Sequence, residues 1–125
     1  MKTNLSDSEW TLMNCLWEKH PMTITELTAA LRPKTGWRKN TVITMLARLE
    51  AKGAVSHTSG ERAKLYAPLL DRRDAAREET KSFLGKVYGG SLGLMMSAMV
   101  ESRELTEADL AELTAILEQA GGEKK

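Results

Sequence analysis

The stretch Gly36–Gly53, GWRKNTVITMLARLEAKG, combines hydroxyl and cationic side chains at spacings that suit binding to a polyanion. Because an α-helix turns by about 100° per residue, four polar residues of this stretch fall within about 80° of one another. They are Thr41, Thr44, Arg48 and Lys52. Hydroxyls donate and accept hydrogen bonds, and guanidinium and ammonium groups pair with phosphates. The spacing predicts a helix whose polar face contacts a nucleic-acid duplex.

The predicted contacts follow from how a helix enters the major groove, with its N-terminal residues nearest the base edges. Asn40, Thr41 and Thr44 are predicted to face the bases, where a threonine can touch a thymine methyl or donate to an acceptor. Arg48 can reach either a base edge or a phosphate, and the sequence leaves both interpretations open.

Residues that flank this helix are predicted to contact the DNA backbone. Arg38 and Lys39 stand at the helix N-terminus, where the helix dipole also favours a phosphate. Trp37 has two interpretations, packing in the core to anchor the preceding loop or donating its indole N–H to a phosphate. Lys52 is either a phosphate contact or a solvated lysine. Weaker candidates on the preceding helix are Thr25 and Thr28.

The charge of the chain is unevenly distributed, although its formal net charge is only +1. Between Arg32 and Lys64 there are 8 Lys or Arg residues against 2 Asp or Glu residues, whereas residues 71–125 hold 8 against 11. A concentrated basic segment is expected of a polyanion-binding protein, and a well-solvated surface is the alternative interpretation.

Three short helices are predicted to position the basic segment. The first two begin with capping boxes, in which a hydroxyl and a glutamate satisfy each other's backbone amides. These boxes pair Ser6 with Glu9 and Thr23 with Glu26. Pro21 and Pro33 are expected to end the two helices. The third helix, at about 40–52, precedes Gly53, which is predicted to adopt a left-handed C-terminal cap.

A β-hairpin is predicted after the third helix. Val55 and His57 alternate with polar residues, residues 59–61 are a Ser-Gly-Glu turn, and the following RAKLYAP run favours a strand. Arg62 and Lys64 lie near the tip of this hairpin. They are interpreted as phosphate or minor-groove contacts, or else as solvated cations.

Residues 71–125 are predicted to form three more helices. A charged helix becomes apolar before a Gly-Gly pair, a Met-rich helix covers about 91–102, and the last helix begins at a Thr106/Asp109 cap. Residues 121–125 are expected to fray.

The apolar residues of these helices are too many for so small a unit to bury by itself, because small units bury a low fraction of their surface. A second copy related by a two-fold axis is predicted to cover them. The predicted dimerisation residues are Phe83, Leu84, Val87, Tyr88, Leu92, Met95, Met96, Met99, Leu110, Leu113 and Leu117. The methionines are interpreted as core residues rather than metal ligands, because thioethers fill irregular interfaces.

The order of elements predicts a mainly α protein. Its N-terminal part, residues 1–70, is predicted to be a winged helix-turn-helix DNA-binding domain of three helices and a two-stranded hairpin. Residues 71–125 are predicted to be a three-helix dimerisation domain.

Four stretches of the chain resemble the penicillinase-repressor family, the BlaI/MecI type of bacterial transcriptional regulators. They are LSDSEWTLMNCLWEKHPMTITEL (5–27), WRKNTVITMLARLEAKGAVSH (37–57), LYAPL (65–69) and SFLGKVYGGSLGLMMSAMVESRELTEADLAELTAILEQ (82–119). The most specific elements are the tryptophan-opened W-x-x-N-T-V-x-T-x-L-x-R-L-x-x-K-G and the Phe, Tyr and Gly run before the Met-rich helix.

The resemblance implies a homodimer that binds palindromic operator DNA and represses β-lactamase or other resistance genes. It further implies a membrane-bound sensor protease that cleaves the dimerisation domain and ends repression. The cleavage position would fall near Ala98 and Met99, where familiar members have an Asn-Phe pair that this chain lacks. Control by a ligand, another sensor or oxidation therefore remains open. The C-terminal cysteine pairs of the copper-responsive branch are also absent from the sequence.

The sequence offers no motif for catalysis, and we predict no enzymatic activity, metal or cofactor. Cys15 lies between two tryptophans and is interpreted as an inert buried thiol, and His20 and His57 lack partners at metal-ligand spacing. The lone cysteine and the absence of a long apolar run predict a cytoplasmic protein without direct membrane association. A winged-helix module that binds another protein is the alternative function.

Overall fold

The computed structural model describes residues 4–123, and within them the chain forms six helices and two strands. These elements are α1 (Asp7–Glu18), α2 (Ile24–Thr35), α3 (Lys39–Ala51), β1 (Val55–Ser59), β2 (Lys64–Pro68), α4 (Arg72–Tyr88), α5 (Leu92–Glu101) and α6 (Glu107–Glu123). The mainly α class and the arrangement of three helices and a hairpin are confirmed.

The chain divides into two compact units, Met1–Glu79 and Thr80–Lys125. Helix α4 runs through this division. The domain boundary expected between residues 70 and 71 stays a prediction.

The capping boxes predicted for α1 and α2 are both present. Glu9 N–H donates to Ser6 Oγ over 3.2 Å, and Ser6 N–H donates to Glu9 Oε1 over 2.8 Å. Thr23 and Glu26 make the same reciprocal pair at the start of α2. Each box satisfies two amides that the first turn of a helix leaves without a partner, so it fixes where the helix starts.

The prediction that Pro33 ends α2 is wrong, because the helix continues through Pro33 to Thr35. A proline lacks the N–H that would bond to the carbonyl four residues earlier, but the later hydrogen bonds of the turn can still form. The Gly36 N–H donates to Arg32 O over 2.8 Å, and Gly36, at φ +71°, ends the helix in the left-handed conformation. The terminator is therefore the glycine that follows the proline.

The predicted left-handed cap at Gly53 is confirmed, with φ at +80°. The Gly53 N–H donates to Glu50 O, and the Ala54 N–H reaches back to Leu49 O over 2.8 Å. This pair of bonds is the Schellman motif, which satisfies carbonyls at the end of α3 and turns the chain directly into β1.

The hairpin of β1 and β2 is antiparallel, with Val55 opposite Pro68 at its open end and Ser59 opposite Lys64 beside the connection. Its connection closes through the Gly60 N–H, which donates to Ala63 O over 2.9 Å. A Cβ at Gly60 would lie 2.6 Å from that same carbonyl oxygen, so the turn requires glycine. Arg62 lies within this connection.

A segment outside the two strands also pairs with the hairpin, and no sequence pattern indicated this pairing. Met22 N–H donates to Tyr66 O over 3.0 Å, and Tyr66 N–H donates to Met22 O over 2.8 Å. Met22 lies in the connection between α1 and α2, so this bridge ties the hairpin to the helices.

The hydrophobic core of the first unit lies among α1, α2, α3 and the hairpin. Its largest fully buried side chains are Leu12, Met13, Leu16, Leu27, Val42, Leu46, Leu49 and Val55. Trp17 packs at the edge of this core, and its indole Nε1–H donates to Leu70 O over 2.9 Å, which fixes the chain as it leaves β2.

In the second unit, α4 ends where predicted, before Gly89 and Gly90, which have φ values of +60° and +88°. Ser91 caps α5, and the predicted Thr106/Asp109 cap starts α6. The expected fraying is wrong for residues 121–123, which continue α6, since no proline or left-handed glycine interrupts the backbone bonds there. Residues 124–125 lie outside the described residues.

From residue 72 to residue 122 no side chain is buried. Among the described residues no single helix is both long and apolar enough to cross a membrane, and only α4 and α5 taken together, as a bent pair, meet those criteria.

Candidate nucleic-acid interface

Helix α3 is held by one apolar side, and the opposite side is exposed. Its buried residues are Val42, Met45, Leu46 and Leu49. Their spacing of three and four residues forms one stripe against the core. Thr41, Thr44 and Arg48 all lie on the exposed side, as the sequence predicted.

Five residues of α3 line one open depression on this exposed side. They are Asn40, Thr41, Thr44, Met45 and Arg48. The depression therefore brings together an amide, two hydroxyls and a guanidinium over a hydrophobic floor from Met45. These groups can donate to and accept from the base edges and phosphates of DNA.

The N-terminus of α3 presents positive charge without a competing acid. Arg38 is the N-cap residue, its side chain makes no capping bond, and the first turn contains no Asp or Glu. Arg38 and Lys39 are both exposed. The unpaired amides of a first helical turn, together with these two cations, form an arrangement that favours a bound anion.

The Trp37 side chain is half-buried and packs against the hydrophobic core, and the backbone N–H of Trp37 donates to Thr35 Oγ1 over 3.1 Å. This placement favours the core-packing interpretation over a phosphate contact. By packing on the core, Trp37 holds the chain segment that precedes α3, and this positions the first turn of that helix.

Lys52 is exposed but makes two intramolecular contacts that sequence reasoning missed. Its Nζ donates to Glu9 Oε1 over 2.6 Å and to Asn4 O over 2.7 Å. Burial acts to raise the pKa of Glu9, but hydrogen bonds from Lys52 and Ser6 and the charge of Lys52 outweigh it, so that the pKa lies below its ordinary value of 4.5. The interpretation of Lys52 as a simply solvated lysine is therefore wrong, and its predicted phosphate contact would compete with this ion pair.

A second depression lies where α2 meets the start of α3. It is lined by Thr25, Thr28, Ala29, Arg32 and Lys39. Thr28 is buried and its hydroxyl donates to Ile24 O over 2.8 Å, so Thr25 is the better placed of the two threonines for an outside contact. Arg32 was not among the predicted contacts, although the basic segment begins with it.

The two cations of the hairpin are both exposed. Arg62 lies in the connection between β1 and β2, and Lys64 opens β2 opposite Ser59. The structure thus places both cations at the tip of the hairpin.

The single acid of α3 lies beside the hairpin. Glu50 Oε2 is 2.6 Å from His57 Nδ1, although the two atoms are not aligned as a hydrogen bond. The His57 ring lies against Tyr66, with 5.2 Å between ring centroids. Burial, and then the charge of Glu50, raise the pKa of Tyr66.

Cys15 is only half-buried, and burial followed by the charge of Glu18 raises the pKa of its thiol. A raised thiol pKa lowers the thiolate fraction and with it reactivity. Among residues 4–123, no three His, Cys, Asp or Glu side chains gather closely enough to hold a metal ion.

Comparison with known proteins identifies relatives that match almost the whole chain. The penicillinase repressor of Bacillus licheniformis is 32% identical over 121 residues, which cover 97% of this chain and 94% of that protein. The methicillin resistance regulatory protein MecI of Staphylococcus aureus is 26% identical over 113 residues, which cover 90% of this chain and 92% of that protein.

A solved structure matches more than half of this chain. It is the solution structure of Bacillus licheniformis BlaI in its monomeric form, in complex with the blaP half-operator. It is 33% identical to this chain with a TM-score of 0.52, and the match covers 59% of this chain and 93% of that chain. The sequence profile of the penicillinase repressor family matches residues 5–119. This chain belongs to the penicillinase repressor family.

Proposed function

We propose that this protein is a transcriptional repressor that binds operator DNA through α3 and controls β-lactamase or related resistance genes. The observation that carries the proposal is the exposed face of α3, where Thr41, Thr44 and Arg48 line one depression beside an acid-free, cationic N-terminus. The BlaI relative was solved with a half-operator, and this chain aligns with nearly all of that structure.

The contacts are proposed in three groups. Asn40, Thr41 and Thr44 face base edges in the major groove, because they occupy the N-terminal half of the exposed side. Arg48 extends from the next turn to a base or a phosphate. The proposed backbone contacts are Arg38, Lys39, Arg62 and Lys64, all of them exposed, together with Arg32 and Thr25 at the edge of α2.

We propose that the repressor acts as a homodimer joined through α4, α5 and α6. Support comes from the large apolar residues that these helices leave exposed, which are Phe83, Val87, Leu92, Leu94, Val100, Leu110, Ile116 and Leu117. The predicted dimerisation residues Leu84, Tyr88, Met95, Met96, Met99 and Leu113 are at best half-buried. So large an apolar surface is typical of a protein interface, and a two-fold axis would apply the same surface twice.

The route to derepression stays a prediction. Ala98 and Met99, the predicted cleavage region, lie in the second half of α5 and are half-buried. A protease binds an extended substrate, so cleavage there requires α5 to unwind locally. The family resemblance, and not the geometry of α5, supports a membrane-bound sensor protease as the proposed partner. The repressor itself is proposed to act in the cytoplasm.

The test is selection of duplexes from a random pool by the purified protein, followed by titration of the winning duplex across a salt series. We expect a palindrome with half-sites one helical turn apart, or a multiple of a turn, and an affinity that falls steeply with salt. Failure to enrich any sequence, with only weak and salt-sensitive binding, would contradict operator recognition and favour a protein-binding winged helix.

A further inference from the structure

One large apolar residue of α3 does not belong to the stripe that packs on the core. Ile43 is 41% exposed, whereas Val42 and Leu46 beside it are buried. A β-branched residue is not the strongest choice for an exposed helix position, since its side chain loses rotamer freedom there. Neither the fold nor the contacts proposed above use this side chain.

The place of Ile43 on the helix relates it to the proposed contacts. It lies one turn after Lys39 and one turn before Ala47, so these three residues form a single stripe along α3. Lys39 lines the depression shared with α2, and Thr44 lines the depression on the other side. Ile43 and the exposed Ala47 therefore form a small apolar patch between two groups of polar and cationic residues.

We infer that Ile43 is a specificity-determining residue that packs against the C5-methyl group of a thymine in the operator. The thymine methyl is the apolar group that the major groove presents, and apolar side chains contact it directly. Ile43 lies in the first half of α3, from which side chains reach base edges. This inference rests on the proposed function, because it requires α3 to occupy the major groove.

The size of the effect follows from the single methyl group involved. Burial of one such carbon contributes enough free energy to change a dissociation constant by about fourfold. A discrimination of that size is measurable, and it is smaller than the loss expected from removing a bidentate base contact.

The experiment replaces each thymine of one half-site, one at a time, with deoxyuridine, which lacks only the C5-methyl group. The probe is the duplex enriched by the wild-type protein. At one position at least, we expect wild-type affinity to fall by about fourfold. The Ile43→Ala variant should bind the thymine and deoxyuridine duplexes equally at that position. Because Ile43 is exposed, we expect this variant to fold like the wild type.

A matched control is Leu69→Ala, which removes another exposed aliphatic side chain of the same unit, 61% exposed and outside α3. It should retain the wild-type discrimination. If the wild-type protein tolerates every deoxyuridine, or if Ile43→Ala keeps the same preference for thymine, the inference is overturned while operator binding stands. If no duplex is enriched, the proposed function fails and the inference fails with it.

Discussion

Lys52 Nζ lies 2.6 Å from Glu9 Oε1, so an ion pair joins the C-terminal end of α3 to the first turn of α1. Glu9 is only 3% exposed and also accepts the amide of Ser6 in the capping box. One carboxylate therefore starts α1 and holds the end of the proposed recognition helix. This contact gives α3 a polar anchor in addition to its apolar stripe.

We expect Glu9→Gln to destabilise the protein by about 1–3 kcal/mol, because it leaves the Lys52 ammonium without its charged partner. The glutamine oxygen can still accept the Ser6 amide, so the capping box is retained. Urea denaturation of the wild type and the variant measures the difference in free energy of unfolding.

Glu26→Gln is the matched control, because Glu26 occupies the equivalent place in the α2 capping box and its carboxylate has no cationic partner within residues 4–123. Its effect should be within about 0.5 kcal/mol. Equal losses in the two variants would mean that the ion pair adds nothing to the cap.

The stabilisation by Glu9 is expected to depend on pH. Its pKa is lower in the folded state than the ordinary value of 4.5, so the contribution is fully present above that value and is lost as the pH falls through the lowered pKa. The difference in free energy of unfolding between wild type and Glu9→Gln should shrink on acidification from neutral pH to about pH 3. A difference that stays constant over this range would contradict the assignment.

Arg48→Ala is expected to weaken operator binding by about 1–3 kcal/mol. If Arg48 contacts a base, the loss will be confined to duplexes with the preferred base at one position. If it contacts a phosphate, affinity will fall for all sequences and the salt slope will decrease by about one. Lys19→Ala, an exposed cation at the end of α1, is the control and should leave both quantities unchanged.

Leu117→Asp is expected to convert the proposed homodimer into monomers. Leu117 is 67% exposed in the single chain, so the substitution removes little internal packing. In a two-fold interface the substitution removes the leucine from both subunits. The expected loss is about 3–6 kcal/mol of association free energy. Sedimentation at micromolar concentration measures the state, with Gln119→Asp on the same helix as control. A wild-type protein that sediments as a monomer would refute the dimer directly.

Gly53→Ala and Gly85→Ala should have opposite effects on stability. A Cβ meets no atom within 4 Å at either position, but Gly53 has a φ of +80° and Gly85 lies within α4. Alanine at Gly53 should cost about 1–2 kcal/mol of backbone strain, whereas alanine at Gly85 should add about 0.5–1 kcal/mol. Thermal or urea unfolding distinguishes the two, and similar effects would mean that the cap at Gly53 relaxes.

Local sequence patterns predicted much of the fold because they act within a few residues. The capping boxes of Ser6 and Thr23 and the left-handed cap of Gly53 follow from hydrogen bonds that span three to five positions. The exposed side of α3 follows from helical periodicity alone. These features can be predicted without knowledge of contacts between residues distant in the sequence.

The features that sequence reasoning missed depend on distant partners or on competition between neighbours. The Lys52–Glu9 pair joins residues 43 positions apart, and the Met22–Tyr66 bridge joins the α1–α2 connection to β2. Pro33 does not end α2 because the helix loses only one backbone bond to it, while Gly36 can adopt the left-handed conformation that ends the helix. The exposure of Ile43 is not evident from the sequence, because an apolar residue on a helix usually packs in the core.

The Met22–Tyr66 bridge adds one isolated antiparallel pair to the outer edge of the two-stranded hairpin. Its two amides are each buried in a reciprocal bond, so they should exchange with deuterium together rather than one before the other. Strand β2 then separates from the helices only when its two hydrogen bonds to the connection between α1 and α2 break. A displacement of β2 would therefore be transmitted to α1 and α2, and the hairpin would move together with these helices rather than independently of them.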